Sequence, residues 1–553
     1  MRLFAHLLRS SRGVFLLAIT AGVLSGASGA AFIVVVNQSL VHVPHVPAVL
    51  VWAYAGLCLT TIVTRFVSQA MLFRLAQGFI RQLRRKLIDS ILGAPLRSVE
   101  QTGTPRLYSA LSDDVVVIAD ALPGLPALCS SAAFVLVALV YLAIVSPVAA
   151  VAALATTALG VIVYRLLSVY GLRSLGSARE EQDRLFEHFR ATTEGIKELK
   201  LNQRRRARLA GQELDATAES YRRHSVVGLS VFEGAAGGGQ AVFFLLIGVM
   251  LFVLPGHFAI AKATVVASVL VVLFAVSSLQ GILVLIPPLG RATVALRTIE
   301  ERLAFLASAG QEIQPGPAPD FTAWSWIEFR GVSHVYPGPA GEEFVLGPLD
   351  LEFRRAEVLL VVGANGSGKT TLAKVLTGLY PPQAGAVWVD GTEITSQNRD
   401  AYRQLFSAVF SDFFLFDSLL GLPADDLAAK ARSYLERLQL DHKVSIDGNR
   451  FSTTALSQGQ RKRLALLTSF LEDRPFYVFD EWAADQDPVF KDFFYRDLLP
   501  ELKARDKAVL VITHDDRYFH LADRLIRLDY GQIREEMRDG PTVAAGPGTD
   551  IAR

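Results

Sequence analysis

The sequence predicts two unlike parts joined end to end: an all-α membrane domain of six helices, then an α/β domain built on a phosphate-binding loop (P-loop). Three observations carry this. Uncharged apolar stretches of about 20 residues, the length that crosses a bilayer, recur through the first half and stop near residue 290. In the second half an apolar run feeds directly into GANGSGKT, residues 363–370. The charge divides as well. Residues 1–310 hold 28 Lys and Arg against 17 Asp and Glu, whereas residues 311–553 hold 27 against 36. The net charge of +2 therefore hides a basic half of +11 and an acidic half of −9.

Composition excludes several classes. Of 553 residues 51% are hydrophobic and 20% charged, below the roughly 25% charged of average soluble domains. A disordered or collagen-like chain is ruled out, because apolar content is high and Gly and Pro show no period. Cys58 and Cys129 cannot form a disulfide framework or a four-ligand zinc site. Both lie in apolar runs and read as buried free thiols.

The spans follow in order. Residues 13–36 carry no charge, a second stretch covers 46–64, and 121–164 is an uncharged run of 44 residues, about twice a span. Ser146-Pro147 near its middle predicts a tight turn between two helices. A fifth span covers 234–254 and a sixth 263–290. Continuous helices are expected, because hydrocarbon offers no partner for a free N–H or C=O. The first 30 residues resemble a signal peptide, but their apolar run is longer than such a segment carries, so an uncleaved span is expected.

The connections fix orientation. Residues 37–47, the Ser146-Pro147 turn and 255–261 lack Lys and Arg, whereas 65–106, 165–223 and the N-terminus (Arg2, Arg9, Arg12) are studded with them. The positive-inside rule puts both termini and the two long connections in the cytoplasm. The basic excess is thus a topology signal and not a nucleic-acid footprint. Spacing at Leu72, Phe73, Leu75, Phe79, Ile80 and Leu83 predicts that the helices continue well beyond the bilayer.

Residues 310–325 read as a linker between a membrane domain, 1–309, and a nucleotide domain, 326–539; residues 540–553 read as a disordered tail. Buried strands are expected at 357–362, 477–479 and 508–513, with a helix over 371–379 after the loop. Gly363, Gly366 and Gly368 let backbone N–H groups of the loop, with Asn365 and Ser367, converge on phosphate oxygens at a helix N-terminus. In that arrangement Lys369 neutralises the β- and γ-phosphates of ATP, Thr370 ligates Mg²⁺ and Thr371 continues the cradle. Phe476–Asp480 and Glu481 form an apolar strand ending in two carboxylates. Asp480 suits the Mg²⁺ shell and Glu481 the attacking water. Between them Ser457, Gln458, Gly459 and Gln460 open a helix expected over 462–471, an anion site or simply an N-cap.

Six spans, a P-loop, an LSxGQ element and a strand ending Asp-Glu together resemble an ABC exporter half-transporter over essentially the whole chain. The resemblance implies an ABC ATPase domain and a head-to-tail homodimer, in which Ser457 and Gly459 of one copy close over ATP held by residues 363–371 of the other. It also implies that Tyr336 stacks on adenine, His514 reaches the γ-phosphate and Asp485 lies in the loop crossing the dimer. Residues 103–114 and 193–199 resemble the coupling segments that dock on the ATPase domains. Exporters carry Gln where this chain has Ser411; the shorter serine reaches a metal less readily, and Asp412 could act in its place through water. FSAVFSDFFLFD, SQGQRKRLALL, DEWAADQDP and HDDRYF resemble the cyclic-peptide export subfamily, which includes pyoverdine-type, syringomycin-type and microcin-type secretion proteins.

These features imply ATP-driven export of a peptide-like cargo by alternating access across a bacterial inner membrane, with membrane lipids and a second copy as partners and no nucleic acid. No segment ahead of the first span is expected to process a leader peptide. A lipid or multidrug exporter is the alternative. An ATP-dependent gate or sensor without cargo is disfavoured by Asp480, Glu481 and His514 together. Glu233, beside Gly237-Gly-Gly-Gln240, is the candidate cargo contact with Gln240, because an ionisable group near a span is costly without a task. Its bland alternative is snorkelling or a pair with Arg223. His42 and His45, exposed in a short loop, are not expected to bind metal.

Overall fold

The computed structural model describes residues 12–42, 45–257, 262–308, 310, 319–337, 343–422 and 427–538. Arg2, Arg9, half of the linker (311–318) and the tail fall outside them. The chain divides into two compact units, one of residues 1–88 with 105–302, the other of 89–104 with 303–553.

The first unit is helical. Among the described residues six helices are long and apolar enough to cross a membrane: α1 (Gly13–Leu40), α2 (Ala48–Gly93), α4 (Thr104–Val145), α5 (Pro147–Glu194), α7 (Gln203–Val253) and α8 (Thr264–Ser308). Two short helices, α3 (Leu96–Thr102) and α6 (Ile196–Leu201), lie between them. At about 1.5 Å per residue, helices of 42–51 residues exceed the ~30 Å hydrocarbon core, as the amphipathic spacing requires. In α2, Leu72, Leu75, Phe79, Ile80 and Leu83 are buried, but Phe73 is half exposed and belongs to the outer face.

The expected turn is made by one residue. Ser146 is extended, its N–H closes on Leu142 O, its hydroxyl accepts from Ala149 N, and Pro147 occupies the first turn of α5 where no N–H is needed. Helix α8 runs through Pro287 and Pro288 without ending. Pro287 cannot donate to Leu283 O, four residues back; Tyr164 Oη donates to that carbonyl instead, at 3.5 Å. Such replacement is what hydrocarbon demands of a proline in a span. Helices α1 and α4 approach so closely at Gly26 that a Cβ there would sit 2.1 Å from Ser130 O, the small-residue contact typical of membrane helices. Cys58 and Cys129 are free and partly buried.

The second unit holds two main sheets. Strands β1 (Trp326–Pro337), β2 (Glu343–Arg354), β4 (Ala384–Val389) and β5 (Thr392–Glu393) form an antiparallel sheet in the order β2-β1-β4-β5. The central sheet has β3 (Val358–Val362), β6 (Phe406–Val409), β9 (Phe476–Asp480), β10 (Ala508–Ile512), β11 (Arg524–Asp529) and β12 (Gln532–Arg538), ordered β12-β11-β3-β10-β9-β6. All its pairs are parallel except β11–β12. Strands β3, β9 and β10 are buried at every residue, because a parallel sheet is covered on both faces. That is why they read as unbroken apolar runs. A small hairpin, β7 (Ile446–Asp447) with β8 (Arg450–Phe451), lies apart.

Helix α3 belongs to this second unit. Leu96 packs against the core beneath the antiparallel sheet. Glu100 accepts from Tyr380 Oη at 2.5 Å and from Lys374 Nζ at 3.1 Å. Tyr380 in turn stacks on buried His334, centroids 4.8 Å apart. The docking element is thus 96–102, just before the expected 103–114. Residues 104–114 continue into α4, where Asp114 pairs with Arg302 at 3.0 Å. The shift has a local cause: Gly103 at φ +81 ends α3 and lets the chain turn into α4.

Candidate nucleotide site

The site forms at the carboxyl ends of neighbouring strands, where an open α/β sheet offers unpaired backbone groups. Asp480 pairs with Ile512 across β9 and β10, and Ile512 pairs with Val361 across β10 and β3. The chain therefore delivers Gly363, Glu481 and His514 to one edge. The helix after the loop runs Lys369–Leu376, two residues earlier at its start than expected. Gly368, left-handed at φ +102, caps it, and a Cβ there would meet Phe344 Cζ at 2.9 Å.

Lys369 is buried, and its Nζ donates to Gly363 O and Ala364 O, each at 2.9 Å. Burial pulls this ammonium below the usual lysine range, opposed by the charges of Glu481 and Asp480. Ser367 is buried with its hydroxyl unpartnered, while Asn365 and Gly366 are exposed at the tip and Thr371 is half buried. Backbone bonds hold the loop from behind, Gly531 N donating to Ser367 O at 3.0 Å. Tyr336, partly exposed, pairs across β1–β2 with Phe344, the ring that packs beside Gly368. An open groove lined by Gly363, Ala364, His514, Phe519 and Arg527 borders the loop.

Asp480 is fully buried at the end of β9. Its Oδ2 accepts from Thr370 Oγ1 at 3.0 Å and from Ser411 Oγ at 3.2 Å, and its Oδ1 has no hydrogen-bond partner. Burial raises this carboxyl above the usual range, partly offset by the two hydroxyls. Ser411, and not Asp412, thus shares the carboxylate with Thr370; Asp412 is exposed. Among the described residues no cluster of three His, Cys, Asp or Glu could cage a metal. The Thr370 hydroxyl beside a carboxylate with one unpartnered oxygen is instead a donor pair that suits Mg²⁺, an ion that takes its other ligands from phosphate and water. Ser411→Ala is expected to lower Mg²⁺-dependent ATPase about 10- to 100-fold at limiting metal, from the loss of one hydrogen bond to a charged group. A magnesium titration checks it, with Asp412→Ala as the milder comparison.

Glu481 follows in a left-handed conformation, φ +50. Its Oε1 lies 3.2 Å from His514 Nε2, so the carboxylate and imidazole meet at the mouth of the site. The helix of the LSxGQ element runs Gln458–Glu472, earlier than the expected 462, and Ser457 is its N-cap in a reciprocal capping box with Gln460. Ser457 and Gln458 are exposed. The N-cap reading is therefore correct within one copy. Asp485 pairs with Lys462 Nζ at 2.7 Å. Sequence reasoning missed Lys462, Arg463 and Gln486; the signal available was two basic residues three and four positions after Gly459, on one helical face.

Glu233 and Gln240 are both exposed on α7. Glu233 has no ion pair with Arg223 or another described residue.

Comparison with known proteins agrees with this architecture. Residues 13–283 match the family ABC transporter transmembrane region, and residues 346–484 match the family ABC transporter. The chain is 36% identical over 537 residues to the ATP-binding protein SyrD of Pseudomonas syringae pv. syringae, covering 94% of this chain and 93% of that protein. It is 27% identical to the ATP-dependent lipid A-core flippase of Dechloromonas aromatica (strain RCB), over 88% and 84% of the two chains. The Macrolide export ATP-binding/permease protein MacB 1/2 of Paracoccus denitrificans (strain Pd 1222) is 31% identical over 40% of this chain and 35% of its own. With its membrane helices, its P-loop and its strand ending in Asp480 and Glu481, the chain belongs to the ABC transporter family, as an exporter half-transporter whose ATPase domain couples ATP hydrolysis to transport.

Proposed function

We propose that the protein exports a peptide-like cargo, a cyclic peptide, siderophore or lipopeptide, across a bacterial inner membrane as a homodimer with cytoplasmic termini. The observation that carries the cargo class is the likeness to SyrD over 94% of the chain, together with the distinctive run DEWAADQDP. A lipid exporter is the second reading, favoured by the likeness to a lipid A-core flippase over 88% of the chain.

In this reading residues 363–371 hold the phosphates of ATP, and Lys369 exchanges its two loop carbonyls for β- and γ-phosphate oxygens. Tyr336 covers the adenine. Thr370 and Asp480 hold Mg²⁺, with Ser411 orienting the carboxylate, and the metal supplies neutralisation of phosphate charge. Glu481 takes the proton of the attacking water, and His514 keeps the carboxylate aimed and faces the γ-phosphate. The exposed Ser457 and the half-buried Gly459 cap the ATP of the second copy, beside Asp485. Phe414, Phe416 and Leu420 are exposed on the same unit, an apolar surface a second copy would cover. ATP shifts the transporter outward only through its higher affinity for the closed dimer. Glu233 and Gln240 face the cargo.

The test is ATP-driven uptake of cyclic peptides and of lipids into inside-out vesicles, with Glu481→Gln as control. Uptake of lipids alone would sink the peptide reading. Helix α3 supplies a second check. Glu100→Gln is expected to abolish cargo stimulation of ATPase while basal turnover falls less than about 3-fold, since one charge-assisted bond of ~1.5–3 kcal/mol is lost. Exchanging the charges, Glu100→Lys with Lys374→Glu, should restore part of the stimulation.

A further inference from the structure

We infer that Lys462 is a positioning residue for ATP hydrolysis: it fixes the backbone of Glu481 and joins it to the helix that carries the LSxGQ element. The inference rests on the reading of Glu481 as the base.

Lys462 is buried, which a lysine tolerates only when its ammonium is paired. Its Nζ donates to Glu481 O at 2.9 Å and reaches Asp485 Oδ2 at 2.7 Å. Glu481 needs such a hold. A non-glycine residue in the left-handed region persists only where its surroundings over-determine it. Its N–H donates to Ile512 O at 3.1 Å, on the neighbouring strand, and its carbonyl takes Lys462. With both flanking peptides pinned, only the side-chain torsions of Glu481 remain free, and His514 limits those.

The same lysine lies one turn beyond Gly459. Gly459 O accepts from Gln486 Nε2 at 3.0 Å, and a Cβ on Gly459 would sit 2.9 Å from Asp485 O. Arg463 Nε donates to Gln486 Oε1 at 2.9 Å, and its guanidinium lies over the Phe490 ring. Trp482 Nε1 donates to Lys462 O at 2.8 Å. The LSxGQ helix, the 482–487 loop and the base therefore move as one hydrogen-bonded body. Engagement of Ser457 and Gly459 at one ATP reaches the base that serves the other.

The experiment uses the full-length transporter in vesicles. Lys462→Gln is expected to lower kcat about 10- to 100-fold, the loss that misplacing a catalytic group brings, with KM for ATP within about 2-fold. In a Glu481→Gln background the same change should add nothing to the residual rate, measured as single-turnover release of labelled phosphate. Asp485→Asn, at a half-exposed partner, is the companion variant if Lys462→Gln folds poorly. It should give a smaller kcat loss that likewise vanishes in the Glu481→Gln background. An unchanged kcat, or losses that multiply with Glu481→Gln, would overturn the role. Full turnover by Glu481→Gln alone would overturn the base assignment instead.

Discussion

Replacing Glu481 by Gln is expected to cut steady-state ATP turnover by on the order of 10²–10⁴-fold, the usual worth of a general base, while ATP stays bound. The amide matches the carboxylate in shape, keeps the left-handed backbone and retains a bond to His514 Nε2 at its 3.2 Å spacing. What it loses is the ability to take a proton. Asp480, Lys369 and the P-loop are untouched, so nucleotide binding should change little and labelled ATP should be retained by the transporter. Phosphate release and filter-retained nucleotide, measured on one preparation, check the two halves of the expectation. Steady hydrolysis near the parent rate would remove Glu481 from the mechanism.

Trp482→Ala is expected to destabilise the ATPase unit by about 3–5 kcal/mol, the cost of emptying a large aromatic site in a core. Trp482 is fully buried and stacks on Phe494 with centroids 4.5 Å apart. Its indole N–H donates to Lys462 O, so truncation also loses that buried hydrogen bond. Against a typical domain stability of about 5–15 kcal/mol, that loss is severe. Trp482→Phe should recover most of the packing but not the hydrogen bond. The temperature of half-inactivation of ATP binding, and protease resistance of the ATPase unit, report the difference. Equal stability of the Ala variant and the parent would mean that the 482–487 loop is held by its ion pairs and not by its aromatic anchor.

The distribution of charge along the chain and the length of the apolar runs were enough to find the six membrane-length helices among the described residues, because hydrocarbon allows a span no other way to satisfy its backbone. The turn at Ser146-Pro147 was legible for the same reason: the capping hydroxyl and the proline are local chemistry. Helix ends were read less well. The helices at 369 and 458 begin earlier than the apolar pattern suggests, since Gly368 and Ser457 start them through backbone and capping bonds that periodicity does not record. Phe73 fitted the amphipathic spacing and still faces outward, because neighbouring helices, and not the spacing, decide which flank of a wide apolar stripe is covered.

The site divides in the same way. GANGSGKT and the strand ending in Asp480 and Glu481 announced a phosphate cradle and two carboxylates, because those tasks need fixed residue types at fixed spacing. Three matters lay beyond the sequence. Only the folded sheet brings Ser411 onto Asp480 Oδ2 beside Thr370, from the turn after β6, 69 residues away. Only packing puts α3, and not residues 103–114, against Lys374 and Tyr380. And only the tertiary fold turns Lys462, one basic residue among three in a row, into the clamp on Glu481. Residue type and local spacing set which chemistry the chain carries. Tertiary structure decided which groups hold that chemistry in place, since a hydrogen bond between distant segments exists only once the sheet has formed.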